Sequence, residues 1–146
     1  MSDVIDFVLN FHSGWRYLVM LGTIVTCGYF VYALVTSAAD TKRDKLVTTI
    51  WAILVDIQVT LGLILFVLYI FDDAHEIKGQ QMGHLFTMLL LVPPVVHFYS
   101  IYSKRNPNAD LKRMRLIGAV APIVTLVLII GGILALGGGF ELVFGS

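Results

Sequence analysis

The sequence predicts an all-α integral membrane protein: a four-helix bundle with both termini outside and a short N-terminal interfacial helix. Three observations carry that expectation. Four apolar runs of about 20 residues or more, each enough to cross a hydrocarbon core of roughly 30 Å, divide the chain. The composition is 58% hydrophobic and 14% charged, where a soluble domain carries about a quarter charged residues. The basic residues gather in alternate loops, which sets an orientation. The length of 146 residues suits a single domain over 1–146.

Taken in order, the N-terminal stretch Asp3 to Phe11 mixes Val4, Ile5, Val8, Leu9 and Phe11 with Asp3, Asp6 and Asn10. Joined to the first span it would make a helix too long for a bilayer, so it reads as a short helix lying on the outer surface. Ser13 would cap the first spanning helix, and Gly14 would allow the bend between them. This segment has no basic region followed by a small-residue cleavage site, so it does not read as a cleavable signal peptide.

The spans are expected at about 15–35, 46–71, 81–102 and 116–136. Irregular backbone cannot face lipid, so each must be helical. The first loop holds Lys42, Arg43 and Lys45, and the third holds Lys104, Arg105, Lys112, Arg113 and Arg115. The middle loop has only Lys78 against Asp72, Asp73 and Glu76. The positive-inside rule then puts the first and third loops in the cytoplasm. Tyr29, Phe30, Tyr32, Trp51, Tyr69, Phe71, Phe98, Tyr99 and Tyr102 stand near span ends as an expected aromatic belt. Gly118, Ala121, Thr125, Gly131, Gly132 and Ala135 line the last span, with Gly131 and Ala135 spaced for close helix contact. Gly137-Gly138-Gly139 ends it.

Composition also removes classes of function. The formal net charge is zero, so no global attraction to nucleic acid is expected. The single cysteine, Cys27, allows no intrachain disulfide or cysteine cluster and reads as a small packing residue. No Ser-His-Asp set, Gly-rich phosphate loop or zinc-protease motif is recognisable.

Ionisable groups within spans are expensive, so each calls for a reason. His12 and Arg16 stand one helical turn apart at the mouth of the first span, with Met20 a turn further. His84 opens the third span, with Met88 four residues on. The topology puts His12 and His84 on one side of the membrane. Two histidines at one depth on two helices are the minimum that holds a haem iron from both sides. Arg16 would suit a haem propionate. The plainer reading makes His12 a solvated interfacial group, Arg16 a headgroup contact, and His84 a partner of a backbone carbonyl.

Asp56 lies eleven residues beyond Lys45, and His97 seven before Lys104, about 16 and 10 Å of helix. That common depth allows a hydrogen bond between them. With Gln58 they form an inner-leaflet polar site, read either as mutual satisfaction or as a proton relay or quinone-head site. His84 and His97, thirteen apart, fall about 140° out of phase, and Pro93 and Pro94 interrupt the ladder between them. Histidine pairs therefore support one haem at most. His75, Glu76, Asp72 and Asp73 could join His12 and His84 in holding Cu or Zn, or form a solvated acidic loop.

The opening His12-Ser13-Gly14-Trp15-Arg16, Gln58 followed by Leu61-Gly62-Leu63-Ile64-Leu65, and His84 with Met88 resemble the motifs of small four-helix bacterial membrane proteins described as cytochrome-b-like. The resemblance covers the first three helices and departs at Asp56, where the pattern has a histidine. It implies a protein of the bacterial inner membrane that binds haem b.

Three functions stay open at this stage. One is a b-type haem protein or subunit for electron transfer, working with quinone, with His12 and His84 as axial ligands; a chlorophyll-type pigment on one axial bond is a variant of it. The second is a non-redox accessory subunit, binding no cofactor, of a larger membrane complex or homo-oligomer. The third is a metal-handling membrane protein. If the chain serves an enzyme, it does so as an electron-transfer component.

Overall fold

A computed structural model describes residues 2–37, 41–72 and 76–137. Four helices account for nearly all of them: α1 Ser2–Thr36, α2 Thr41–Ile70, α3 Gly79–Arg105 and α4 Leu111–Leu134. All four are long and apolar enough to cross a membrane. Helices α1 and α3 each pack against α2 and α4, so α1 and α3 stand on a diagonal of the bundle.

The inward faces repeat at alternating steps of three and four. In α1 the buried positions are Ile5, Val19, Thr23, Thr26, Phe30 and Ala33. His12 falls seven residues from both Ile5 and Val19, and Arg16 seven from Thr23. In α2 the series runs Asp44, Thr48, Trp51, Val55, Gln58, Gly62 and Leu65. This is the seam of antiparallel neighbours crossing at a shallow angle. The outward positions remain apolar, Val25, Val127 and Phe7 among them, which fits a lipid solvent. The main core joins Val19, Trp51, Val55, Val92, Val96, Ala121, Ile129 and Ile133. Inside it Trp51 Nε1 donates to Thr23 Oγ1 at 3.0 Å, and Thr23 Oγ1 donates to the Val19 carbonyl at 2.7 Å.

Three sequence expectations require correction. No separate interfacial helix precedes the first span: α1 runs unbroken through Ser13 and Gly14 for 35 residues, about 52 Å at 1.5 Å per residue. The chain has no proline there, and the seven-residue register continues from Ile5 to Ala33, so packing carries the helix through Gly14. Gly131 and Ala135 make no close helix contact. A Cβ on Gly131 would meet nothing within 4 Å, and Ala135 is exposed. The close approaches are instead Gly118 against Phe30 and Gly132 against Met88. Phe30, Trp51 and Tyr99 are buried core residues rather than belt residues, whereas Tyr32, Phe71 and Phe98 are exposed.

Helix α3 widens between its halves. Thr87–Leu91 form a π turn, and the Val92 N–H donates to the Thr87 carbonyl. Pro93 and Pro94 follow and lack the N–H groups that an α ladder needs there, so the extra residue is absorbed just before them. Helix α4 ends at Leu134, and Gly137 follows with φ +84°, a left-handed value suited to glycine. Gly138, Gly139 and Glu141 lie outside the described residues.

Candidate functional site: a cavity at one end of the bundle

At the end where α1 begins, α3 begins and α4 ends, the helices diverge around a cavity of about 470 Å³, a size typical of small-molecule and cofactor sites. Its walls are largely aliphatic, with Val19, Val55, Val92, Ile129 and Ile133 at the floor. Four of the sequence-predicted residues, His12, Arg16, His84 and Met88, line it together with Gln58. The two histidines approach from the diagonal helices.

His84 is oriented by α4. Its Nδ1 lies 3.1 Å from the Gly132 carbonyl. A carbonyl only accepts, so Nδ1 carries the hydrogen and Nε2 keeps its lone pair. This is the arrangement by which proteins fix a ligating imidazole. Gly132 lets the two side chains lie close to α4: a Cβ would stand 2.7 Å from the flexible end of Met88, Cε, and 3.5 Å from His84 Nδ1.

His12 is held differently. Gln58 Nε2 donates to the His12 carbonyl at 3.1 Å and lies 3.3 Å from His12 Nε2. His12 Nδ1 and Gln58 Oε1 are buried without hydrogen-bond partners. The ring lies over Gly62, where a Cβ would come within 3.0 Å of His12 Cε1. Trp15 Nε1 donates to the Leu54 carbonyl at 3.0 Å and fixes α1 against α2 beside it.

Arg16 is one of two cations lining the cavity, the other being Lys78, and Glu76 lines it as well. Arg16 reaches Tyr17, donating from a terminal nitrogen to the hydroxyl at 2.9 Å and standing 4.8 Å over the ring. Its buried Nε has no partner, and no carboxylate among the described residues pairs with it. A guanidinium in such a pocket favours an anionic ligand group.

Asp56 and His97 are elsewhere. His97 Nε2 and Asp56 Oδ1 are 3.0 Å apart on the outer side of the bundle. Gln58, grouped with them in the sequence, faces the cavity instead. Asp73 and His75 lie outside the described residues. Among the described residues no group of three His, Cys, Asp or Glu side chains could hold a metal ion.

The sequence reading missed a buried cluster at the opposite end. Arg115 Nε donates to Asp44 Oδ2 at 3.0 Å, a terminal nitrogen of Arg115 donates to the Ala33 carbonyl at 3.0 Å, and Tyr29 donates to Asp44 Oδ1 at 2.7 Å. Asp44 sits in the inward register of α2, and that periodicity is the signal that distinguishes it from a loop charge. Comparison of the chain with family models, curated proteins and solved structures finds no match.

Proposed function

We propose that the chain is a multi-pass protein of a bacterial inner membrane, with both termini outside, that binds one b-type haem at the His12–His84 cavity and serves electron transfer. The orientation rests on the basic residues of the first and third loops. The cofactor reading rests on one observation above all: His84 has its Nδ1 committed to Gly132, leaving Nε2 to a cavity that His12 and Arg16 share.

The residues fit the group. His84 would hold the iron from α3 and His12 from α1, once its ring leaves Gln58. Arg16 would bind a propionate. The aliphatic floor keeps water out and lowers the local dielectric, which strengthens that pairing. Met88 fills the wall beside Gly132. Bound there, haem supplies reversible one-electron chemistry, its potential tuned by axial ligands and burial.

The test is a reduced-minus-oxidised visible spectrum of the protein purified from a haem-replete host. Sharp α and β bands of a six-coordinate b-type haem are expected. His84→Ala should abolish them, and Arg16→Ala should weaken haem retention. A spectrum typical of a magnesium tetrapyrrole would reassign the cavity to a chlorophyll-type pigment.

One observation favours a second reading, a non-redox accessory subunit of a larger membrane complex. His12 Nε2 already lies against Gln58, as in a structural histidine. A colourless protein would decide for that reading.

A further inference from the structure

Two cations from different helices line the same cavity. Arg16 comes from α1, one turn beyond His12, and Lys78 directly precedes α3, six residues ahead of His84. Arg16 is half-buried and Lys78 is exposed, so one stands inside the mouth and the other at its rim. Neither pairs with a carboxylate among the described residues. Two separated positive charges at one opening suit a ligand that carries two anionic groups on one edge.

The remaining wall is apolar. Helix α3 packs on α2 along Val92–Arg105, whereas Gly79–Leu91 lies against α4. Between the outer halves of α2 and α3 the cavity is lined by Leu63, Phe66, Leu85 and Leu89. Leu63 and Leu89 are also exposed, which in a membrane turns this side toward hydrocarbon. An occupant that satisfies both sides is an amphiphile, anionic at the mouth and apolar over the rest. A fatty acid, with one carboxylate, would leave a cation unpaired.

We propose, resting on the haem reading of this cavity, that Arg16 and Lys78 each take one carboxylate of a tetrapyrrole whose two propionates are free. The pair then determines specificity. Haem offers both carboxylates, whereas a chlorophyll-type pigment carries these side chains as esters and would leave both cations unpaired.

Glu76 gives this assignment a sign that can be checked. It lines the same cavity. Lys78 has extended backbone, with φ −84° and ψ 151°, and residues two apart in an extended chain share a side. The Glu76 carboxylate therefore shares the rim with Lys78 and opposes an incoming propionate. Removing the Lys78 charge should weaken binding of a diacid, and removing the Glu76 charge should strengthen it.

The test is equilibrium titration of the haem-free full chain in nanodiscs. The probes are ferric protoporphyrin IX, metal-free protoporphyrin IX and the dimethyl ester of each. The quantity read is the affinity ratio of diacid to diester, compared between variants, so that partition of the probes into lipid cancels. The parent should prefer the diacid by about tenfold or more. Lys78→Met, at an exposed position that perturbs no packing, should lower that preference several-fold. Arg16→Met should do the same, the double variant should abolish it, and Glu76→Gln should raise it.

A parent that binds acid and ester alike overturns the proposal, as does a preference that survives Lys78→Met. Binding of none of the probes overturns it together with the haem reading. The other outcomes separate the two. Six-coordinate bands with a ratio indifferent to Lys78 keep the haem reading and remove this one. A metal-free probe that keeps the charge-dependent preference, while the ferric probe gives no six-coordinate bands, keeps the dicarboxylate site and removes the axial ligation.

Discussion

Gln58 decides between the two readings of His12. Its amide nitrogen bridges the His12 carbonyl and ring, while its own oxygen is buried unpaired. An unpaired buried acceptor costs roughly 1–3 kcal/mol, so the glutamine is a poor purely structural choice. Gln58→Met keeps the volume, removes the amide and frees His12 Nε2. If His12 is a haem ligand, this variant should hold haem at least as tightly as the parent, measured by transfer to apomyoglobin. If His12 is structural, the variant should lose no colour, having none, and its unfolding midpoint should fall instead. Arg16 follows the same logic. A buried guanidinium nitrogen without a partner is costly unless a ligand completes it.

At the scale of elements, the glycines of α4 separate two roles that look alike in sequence. A Cβ on Gly118 would stand 2.6 Å from the ring of Phe30, which is wholly buried. Gly118→Ala should therefore destabilise by about 1–3 kcal/mol through overpacking. Gly131 faces open space, and Gly131→Ala should stabilise by about 0.5–1 kcal/mol through helix propensity. Denaturant unfolding in detergent checks both, and Phe30→Leu should relieve the Gly118→Ala penalty. Much of the architecture was legible because lipid imposes it: long apolar runs must become helices. The continuity of α1 was harder to read because Ser13-Gly14 carries genuine cap and bend chemistry. Only the heptad from Ile5 through His12 to Ala33 overrides that local signal, and it depends on neighbours that the sequence does not display. The π turn escaped for a related reason: Pro93-Pro94 announces a break in the ladder without saying how the chain absorbs it. His12, Arg16, His84 and Met88 could be grouped from topology alone. The separation of Gln58 from Asp56 needed the phase of α2, and the role of Asp44 needed its partner on α4.

The whole molecule is polarised. The helices diverge around a cavity at one end and are clamped at the other. The clamp is the buried pair of Arg115 and Asp44, 2% and 0% exposed, joined to Tyr29 and the Ala33 carbonyl. Each contact suits its helix terminus. Ala33 lies in the last turn of α1, whose carbonyls lack intrahelical donors, and Arg115 supplies one. Asp44 lies in the first turn of α2, where a negative charge complements the helix dipole. A paired charge of this kind is expensive to bury but far more expensive to break. Asp44→Asn or Arg115→Met alone should therefore cost about 3–5 kcal/mol in detergent unfolding. The double variant Asp44→Leu/Arg115→Met should recover most of that loss, falling short by the Tyr29–Asp44 hydrogen bond that goes with the carboxylate. If the single variants unfold like the parent, the clamp does not hold this end together. That end would then be held by the apolar packing of Phe30, Tyr99, Met114 and Ala119.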